Sequence, residues 1–344
     1  MVHKMKPRFP VFALAAFVAM TSINWSPEEL GIRLSDPEAV KQHGTEMTAV
    51  MDRELPKGKN VLWCATFQIA WDKACGQFGR PLKLNPECKL ADSLNQSAFD
   101  MSWVDDDSVF TTQGLLESGV LERIDQGVRQ KAGRPSKLLE RVKQASATGD
   151  LVFYAMLHKE FRFSHPFGKL GSWPVGDRKV PWFGFAPDNR ESALLRQQVR
   201  VHRYEARNDF VIELLCKQTG DQLLLAKLPD VPKTMNELGA AVLKPIRSDA
   251  PQAKREDLLA VPNVVMDEET AFAELQGRTV VGSGRFIRQA LQSIEFNMDE
   301  QGVKLHSEAE ISFGCAASPR VEPRLMVLDP PFAIVMKRKD APKP

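Results

Sequence analysis

The stretch that most constrains this chain runs from Ile294 to Phe313. From Ile294 to Met298 apolar and polar residues alternate, the period of a half-buried strand. Asp299-Glu300-Gln301-Gly302 breaks the run, and alternation then resumes. Val303, Leu305, Ser307, Ala309, Ile311 and Phe313 fall on one face; Lys304, His306, Glu308, Glu310 and Ser312 fall on the other. A slip of one residue would send the apolar set to the wrong side, so the pattern fixes its own register. Gly314 to Pro323 predicts a loop, and Leu325-Met326-Val327-Leu328 a strand. Asp329-Pro330-Pro331 predicts a turn into Phe332-Ala333-Ile334-Val335-Met336, which is apolar on both faces and reads as a buried strand.

The rest of the chain is compatible with a sizeable core. It has 344 residues, 43% hydrophobic and 26% charged, with a formal net charge of +2. That balance gives no global electrostatic case for nucleic acid or an anionic membrane, and Lys337-Arg338-Lys339 reads as a solvated end. The five cysteines are Cys64, Cys75, Cys88, Cys216 and Cys315, with no metal-binding spacing among them. Cys64 and Cys216 lie in apolar runs and are expected as buried thiols. Lys4, Lys6 and Arg8 precede the apolar run Val11 to Met20, the order of a secretory signal but too short to span a bilayer comfortably. Residues 1–25 are therefore a candidate signal or hydrophobic first segment, and 26–344 a single domain.

Taken in order, Ser26-Pro27-Glu28-Glu29 predicts a helix start, and Asp36-Pro37-Glu38 a helix to about Leu55. Asn60 to Trp71 predicts entry into an apolar helix, and residues 76–120 read as irregular, with Asp105-Asp106-Asp107 a polar turn. A helix from Leu121 is interrupted at Gly133-Arg134-Pro135-Ser136 and resumes at Lys137. Leu151 to Leu157 is apolar enough for a buried central strand. Gly220-Asp221 between two apolar runs predicts a hairpin, followed by a short helix from Lys233. Gly282-Ser283-Gly284 predicts a turn before a helix at Phe286.

This order of parts resembles the serpins. The residues that carry the resemblance are the hinge-like Asp299-Glu300-Gln301-Gly302, Pro331-Phe332 at the Arg-Pro-Phe turn, and Pro166-Phe167 after the central strand. The broken helix at 121–142, the Leu228-Pro229-Asp230 corner, Leu259 to Met266, which resembles a family strand, and Ala271 to Leu275, which resembles a short family helix, add to it. It is strongest over residues 121–336. It implies an α+β fold with a large central mixed sheet, covering helices and an exposed reactive-centre-like loop. It also implies a monomeric inhibitor of a serine or cysteine protease, acting in an extracellular or periplasmic setting, or in the cytoplasm if the N-terminal segment is no signal. The hinge would comprise Glu300, Gly302, Val303 and Leu305, and the cleaved bond would fall among Cys315, Ala316 and Ala317. Small residues at that bond imply proteases that accept small side chains.

Three features depart from the family: the N-terminal half is short around residues 76–120, where the family has further helices and an edge strand, and two more lie in the last third. Leu305, His306 and Glu308 are larger or charged where inhibitory members favour small residues, which keeps open a non-inhibitory binding protein of the same fold. The family also adds a last apolar strand after the position of Met336, which Lys337 to Pro344 cannot supply. An open edge beside residues 332–336 is expected, or its closure by the segment around Phe12 to Val18. No phosphate loop, dinucleotide fingerprint, nucleophile elbow or His-Glu-x-x-His occurs, so neither enzyme chemistry nor a cofactor is expected. His306 reads as a lone titrating group.

Overall fold

Apolar, β-branched and aromatic runs set the strands, and Gly, Pro and Asp punctuate them. A computed structural model describes residues 44–303 and 323–342, apart from 98, 176–177, 190–191 and 219. Its elements begin with β1 (Thr45–Thr48), β2 (Asn60–Trp63), α1 (Thr66–Phe78), β3 (Leu84–Asn85), α2 (Lys89–Gln96), β4 (Val109–Leu115), α3 (Val120–Ala132), α4 (Leu139–Ala145) and β5 (Leu151–Leu157). The middle holds β6 (Phe161–Arg162), β7 (Gly168–Val175), β8 (Arg178–Phe185), α5 (Ala193–Gln197), β9 (Val199–Ala206), β10 (Asp209–Leu214), β11 (Asp221–Lys227) and α6 (Met235–Leu243). The last third holds β12 (Leu258–Pro262), β13 (Val264–Ala271), β14 (Thr279–Val280), β15 (Arg285–Phe286), β16 (Leu291–Asp299), β17 (Gly302–Val303), β18 (Leu325–Val327) and β19 (Ala333–Arg338).

The fold is α+β, with both parallel and antiparallel ladders. Two four-stranded sheets, β19-β11-β10-β9 and β18-β12-β8-β7, enclose the main core. Phe183, Phe210, Ile212, Leu223 and Leu225 are fully buried there. Every residue of β11 is buried, because its other face carries α6, with Val242 against Val211, Leu224 and Ala226. Thr234 starts α6 by accepting a hydrogen bond from the Glu237 amide at 3.2 Å, the expected chemistry of an N-cap. Lys227 and Asp329 form a buried ion pair at 2.5 Å that fastens β11 to the turn before Pro330 and Pro331.

Apart from the small sheets β1-β2 and β15-β14-β3, the remaining strands form a divided layer. One part is the antiparallel pair β4-β5, and the other is β13-β16-β17-β6. Helix α3 covers the first part through Val120, Ile124 and Val128, which pack with Phe110, Val152 and Tyr154. A side chain at Gly127 would overlap the Phe110 ring, so this glycine lets the helix sit close to β4. Helix α1 lies beneath the layer, with Phe78 edge-on to Phe153 of β5 at 5.9 Å between ring centroids. Gln292 of β16 reaches down to the Cys64 carbonyl at 3.1 Å and the Thr66 hydroxyl at 3.0 Å, just ahead of α1.

Several local expectations are corrected by tertiary contacts. The helix expected to run to about Leu55 is replaced over Thr45–Thr48 by β1, which pairs in parallel with β2. The Thr48 hydroxyl then bonds to both the amide and the carbonyl of Val50, a local competitor to helix. Asn60–Trp63 is strand for the same reason, and the apolar helix starts only at Thr66. Residues 76–120 are more regular than they read. They contain α2, whose Leu90, Ala91 and Leu94 are buried on one face, and the whole of β4. Residues 272–277 form turns rather than a helix. The Phe286 position is in β15, which pairs with β14. The residues of Leu151–Leu157 are half-buried throughout, not fully buried as expected for a central strand, because the described ladder of β5 runs along one side.

The C-terminal cations are structural rather than simply solvated. Lys337 lies in β19 and donates to the Gln222 side chain at 3.3 Å, and burial pushes its pKa down. Arg338 pairs with Asp105 at 3.4 Å. Among the described residues β19 has a ladder with β11 alone; the segment around Phe12 to Val18, the other expected closure of this edge, lies outside the described residues. Lys337 and Arg338 are the kind of charge that discourages pairing at such an edge.

Cys64 and Cys216 are half-buried rather than buried, while Cys75 and Cys88 are buried; all four are free. Burial, with Glu213 and Asp221 nearby, pushes the Cys216 thiol up to about 12. At pH 8 about one molecule in ten thousand then carries the reactive thiolate. Iodoacetamide at that pH is expected to leave Cys216 unmodified in the folded chain and to label it after denaturation. Rapid native labelling at Cys216, read by peptide mass, would contradict this environment.

Candidate functional site

The division between β5 and β16 is a large concave feature among the described residues. Among the described residues no ladder joins these two strands, and both line one continuous cavity of about 2030 Å³. Its walls include Phe153 and Ala155 of β5 and Ile294 and Phe296 of β16, and its floor includes Phe67, Ala70 and Ala74 of α1. Both strands offer backbone donors and acceptors toward this space, which is the geometry that accepts an added strand.

The groove is fastened at one end. Asp150, just before β5, receives Arg288 through two hydrogen bonds of 2.6 and 3.1 Å. The Arg288 guanidinium holds the Asp150 carboxyl below the usual carboxylate range. Arg285 also donates to the Gly149 carbonyl at 2.8 Å. These contacts join the start of β5 to the segment leading into β16.

At the other end, β17 lies between β16 and β6. Val303 is opposite Met298 and Phe161, and Gly302 is opposite Asp299 and Arg162. The Asp299 carboxylate accepts the Gln301 amide at 2.9 Å, which closes the turn between β16 and β17. The Glu300 carbonyl accepts the Phe167 amide at 2.7 Å, and the Gln301 carbonyl accepts the Phe163 amide at 3.0 Å. Glu300 is buried, with its carboxylate 3.6 Å from Lys169. Gly302 has φ of +149°, and a Cβ there would run into the Phe161 carbonyl oxygen, so the close approach of β17 to β6 requires glycine.

Glu300, Gly302 and Val303 are thus brought together where one chain segment enters the divided layer. Leu305, Cys315, Ala316, Ala317 and His306 lie outside the described residues. The segment re-enters the described structure at Pro323, and Arg324 is held there by Asp257 through contacts from its Nε at 3.0 and 3.2 Å. The Leu325 amide donates to the Tyr204 hydroxyl at 2.9 Å, after which β18 runs parallel to β12. Both ends of residues 304–322 are therefore anchored, one beside the groove and the other on a different sheet.

Sequence reasoning missed the charged residues that frame the groove. Arg134 and Lys137 both reach Glu295 of β16, Lys137 also reaches Asp267 of β13 at 2.8 Å, and Arg141 reaches Glu269 at 2.8 Å. Burial works to raise the Glu295 pKa, but the two cations outweigh it and hold the carboxyl below its usual value. The one available signal was the clustering of these cations at and just after the break in the 121–142 helix, where Glu140 is the single carboxylate among them.

No protein-family profile matches the sequence, and no curated protein matches it. Solved structures to which it is similar include the following. One is Serpin48 of the insect Tenebrio molitor, described as a highly specific serpin, at 11% identity and a TM-score of 0.40. That match covers 80% of this chain and 86% of the other. Another is thyroxine-binding globulin in complex with thyroxine, at 12% identity and a TM-score of 0.35, covering 68% of this chain and 73% of the other. The human thyroxine-binding globulin complex at 11% identity gives the same coverage and TM-score. Among the described residues no group of three or more His, Cys, Asp or Glu is placed to hold a metal. No helix of the described chain is long and apolar enough to cross a membrane.

Proposed function

We propose that the chain inhibits a serine or cysteine protease by loop cleavage and strand insertion. The observation that carries this reading is the direction of β17, which enters between β16 and β6 at the mouth of the open groove. Continuing its antiparallel register with β16 would bring Leu305 opposite Phe296, Ser307 opposite Ile294 and Ala309 opposite Gln292. Phe296 packs against the main core and Gln292 points toward α1. The alternating apolar set would therefore face inward, and His306 would lie opposite Glu295 on the outer face.

The chemistry requires a peptide bond within residues 304–322, with Cys315, Ala316 and Ala317 as candidates. The protease nucleophile bonds to the scissile carbonyl carbon, the C–N bond breaks, and the amine leaves with a proton. The hinge side of the cut is then free to enter the groove while still esterified to the protease. Inhibition follows if entry outruns hydrolysis of the acyl-enzyme. The N-terminal charge-then-apolar order supports an extracellular or periplasmic site of action.

The test is incubation with elastase-like and subtilisin-like proteases. A protease-linked species that survives SDS is expected. Simple cleavage, or no reaction with any of them, would overturn the reading. Leu305, His306 and Glu308 favour a second reading, a non-inhibitory binding protein of the same fold, because their bulk and charge slow entry.

A further inference from the structure

The segment of residues 133–145, which contains α4, crosses the groove, and its two attachments differ in kind. On the β4-β5 side it is held mainly by apolar contacts. Leu139 is buried with Val120, Ile124 and Val128 of α3, and Val152, Tyr154 and Met156 pack against the same cluster. Ser136 adds one hydrogen bond to the Tyr154 hydroxyl at 3.2 Å. On the β13-β16 side it is held by cations on carboxylates. These are Arg134 and Lys137 with Glu295, Lys137 with Asp267, and Arg141 with Glu269.

We infer that this segment is an ionic latch across the groove, hinged on one lip by apolar packing and closed on the other by ion pairs. Salt therefore releases it on one side only. Exposed ion pairs are individually weak and are screened by salt; here the cations and Asp267 are exposed, while Glu269 keeps 30% and Glu295 14% of its side-chain surface. Arg141 and Lys137 keep 62% and 39% of their side-chain surface. Apolar contacts are not screened in this way, so the α3 side stays in place. Once the ion pairs let go, α4 keeps only the Leu139 contact at its first residue, and a helix of seven residues is not stable by itself.

The latch is a property of the uncut chain and stands apart from strand insertion. It is tested by hydrogen exchange of the full chain, with no protease present, as salt rises from about 0.01 M to about 1 M. Over that range the screening length falls from about 30 Å to about 3 Å. The amides of α4 are expected to exchange about tenfold faster at high salt, while those of α3 keep their rates. Glu295→Gln should show the fast α4 exchange already at low salt, with a smaller further response to salt. Arg141→Gln, whose partner is Glu269 alone, should show part of the effect; it keeps the test decisive if Glu295→Gln does not fold. Exchange in α4 that ignores salt in the wild-type chain would overturn the latch. So would equal acceleration of α3 and α4, which would mean general loosening.

Discussion

Cleavage within residues 304–322 is expected to raise the melting temperature of the chain by roughly 7–12 °C. Insertion of the hinge side would bury Leu305 opposite Phe296 between β5 and β16 and, once the Arg288–Asp150 contact opens, Ile311 and Phe313 just beyond the start of β16. Full burial of each large apolar side chain contributes about 1.5–3 kcal/mol, so the three together contribute roughly 5–9 kcal/mol. New main-chain hydrogen bonds, at about 1 kcal/mol each, roughly offset the ordering of the inserted backbone, at about 1–2 kcal/mol per residue. Unfolding entropy of about 2.1 cal/mol/K per residue converts the apolar gain into the stated shift for a chain of this size. Melting followed by circular dichroism, before and after a single cut, reads it directly. An unchanged or lowered melting temperature in a chain cut but otherwise intact would favour the non-inhibitory reading.

Gly302→Val is expected to abolish inhibition and to cost stability as well. The φ of +149° at this position is one that side chains rarely adopt, and holding a residue there costs about 1–3 kcal/mol. The new Cβ would also meet the Phe161 carbonyl, with the Arg162 Cα 3.0 Å away, so backbone on both strands would have to move. That separates β17 from β6 and removes the lead-in to the groove. We expect the protease-linked species to fall by about a hundredfold or more, the factor set by roughly 2.7 kcal/mol on the entry step. Gly220→Ala is the matched control: its Cβ would meet nothing within 4 Å, so its stability should stay within about 0.5 kcal/mol of the parent. Equal inhibition by Gly302→Val and the parent would show that β17 does not guide entry.

Much of this fold was legible in patterns of period two. The alternation of Ile294 to Met298 and the Gly302 break mark β16 and β17, and the uninterrupted apolar run of β11 marks a strand covered on both faces. The Gly133 to Ser136 break in a helical pattern marks the join of α3 and α4. Short segments went wrong where distant partners decide. Thr45–Thr48 and Asn60–Trp63 become strands because they pair with each other, and Arg285–Phe286 because β14 lies beside it. The open flank of β5 was hidden for a related reason: an apolar run says that a strand can be covered on both sides, not that it has been. The ion pairs of Glu295 were illegible because Arg134 and Lys137 are more than 150 residues away in the chain.

Strand insertion requires that the groove between β5 and β16 accept residues 304–313 as a strand, and hydrogen exchange on the chain after a single cut within residues 304–322 reads this. Amides of residues 304–312 are expected to become as protected as those of Leu291–Asp299, with protection of Leu151–Leu157 rising as well. Coil-like exchange of residues 304–312 in a cut but still folded chain would contradict it.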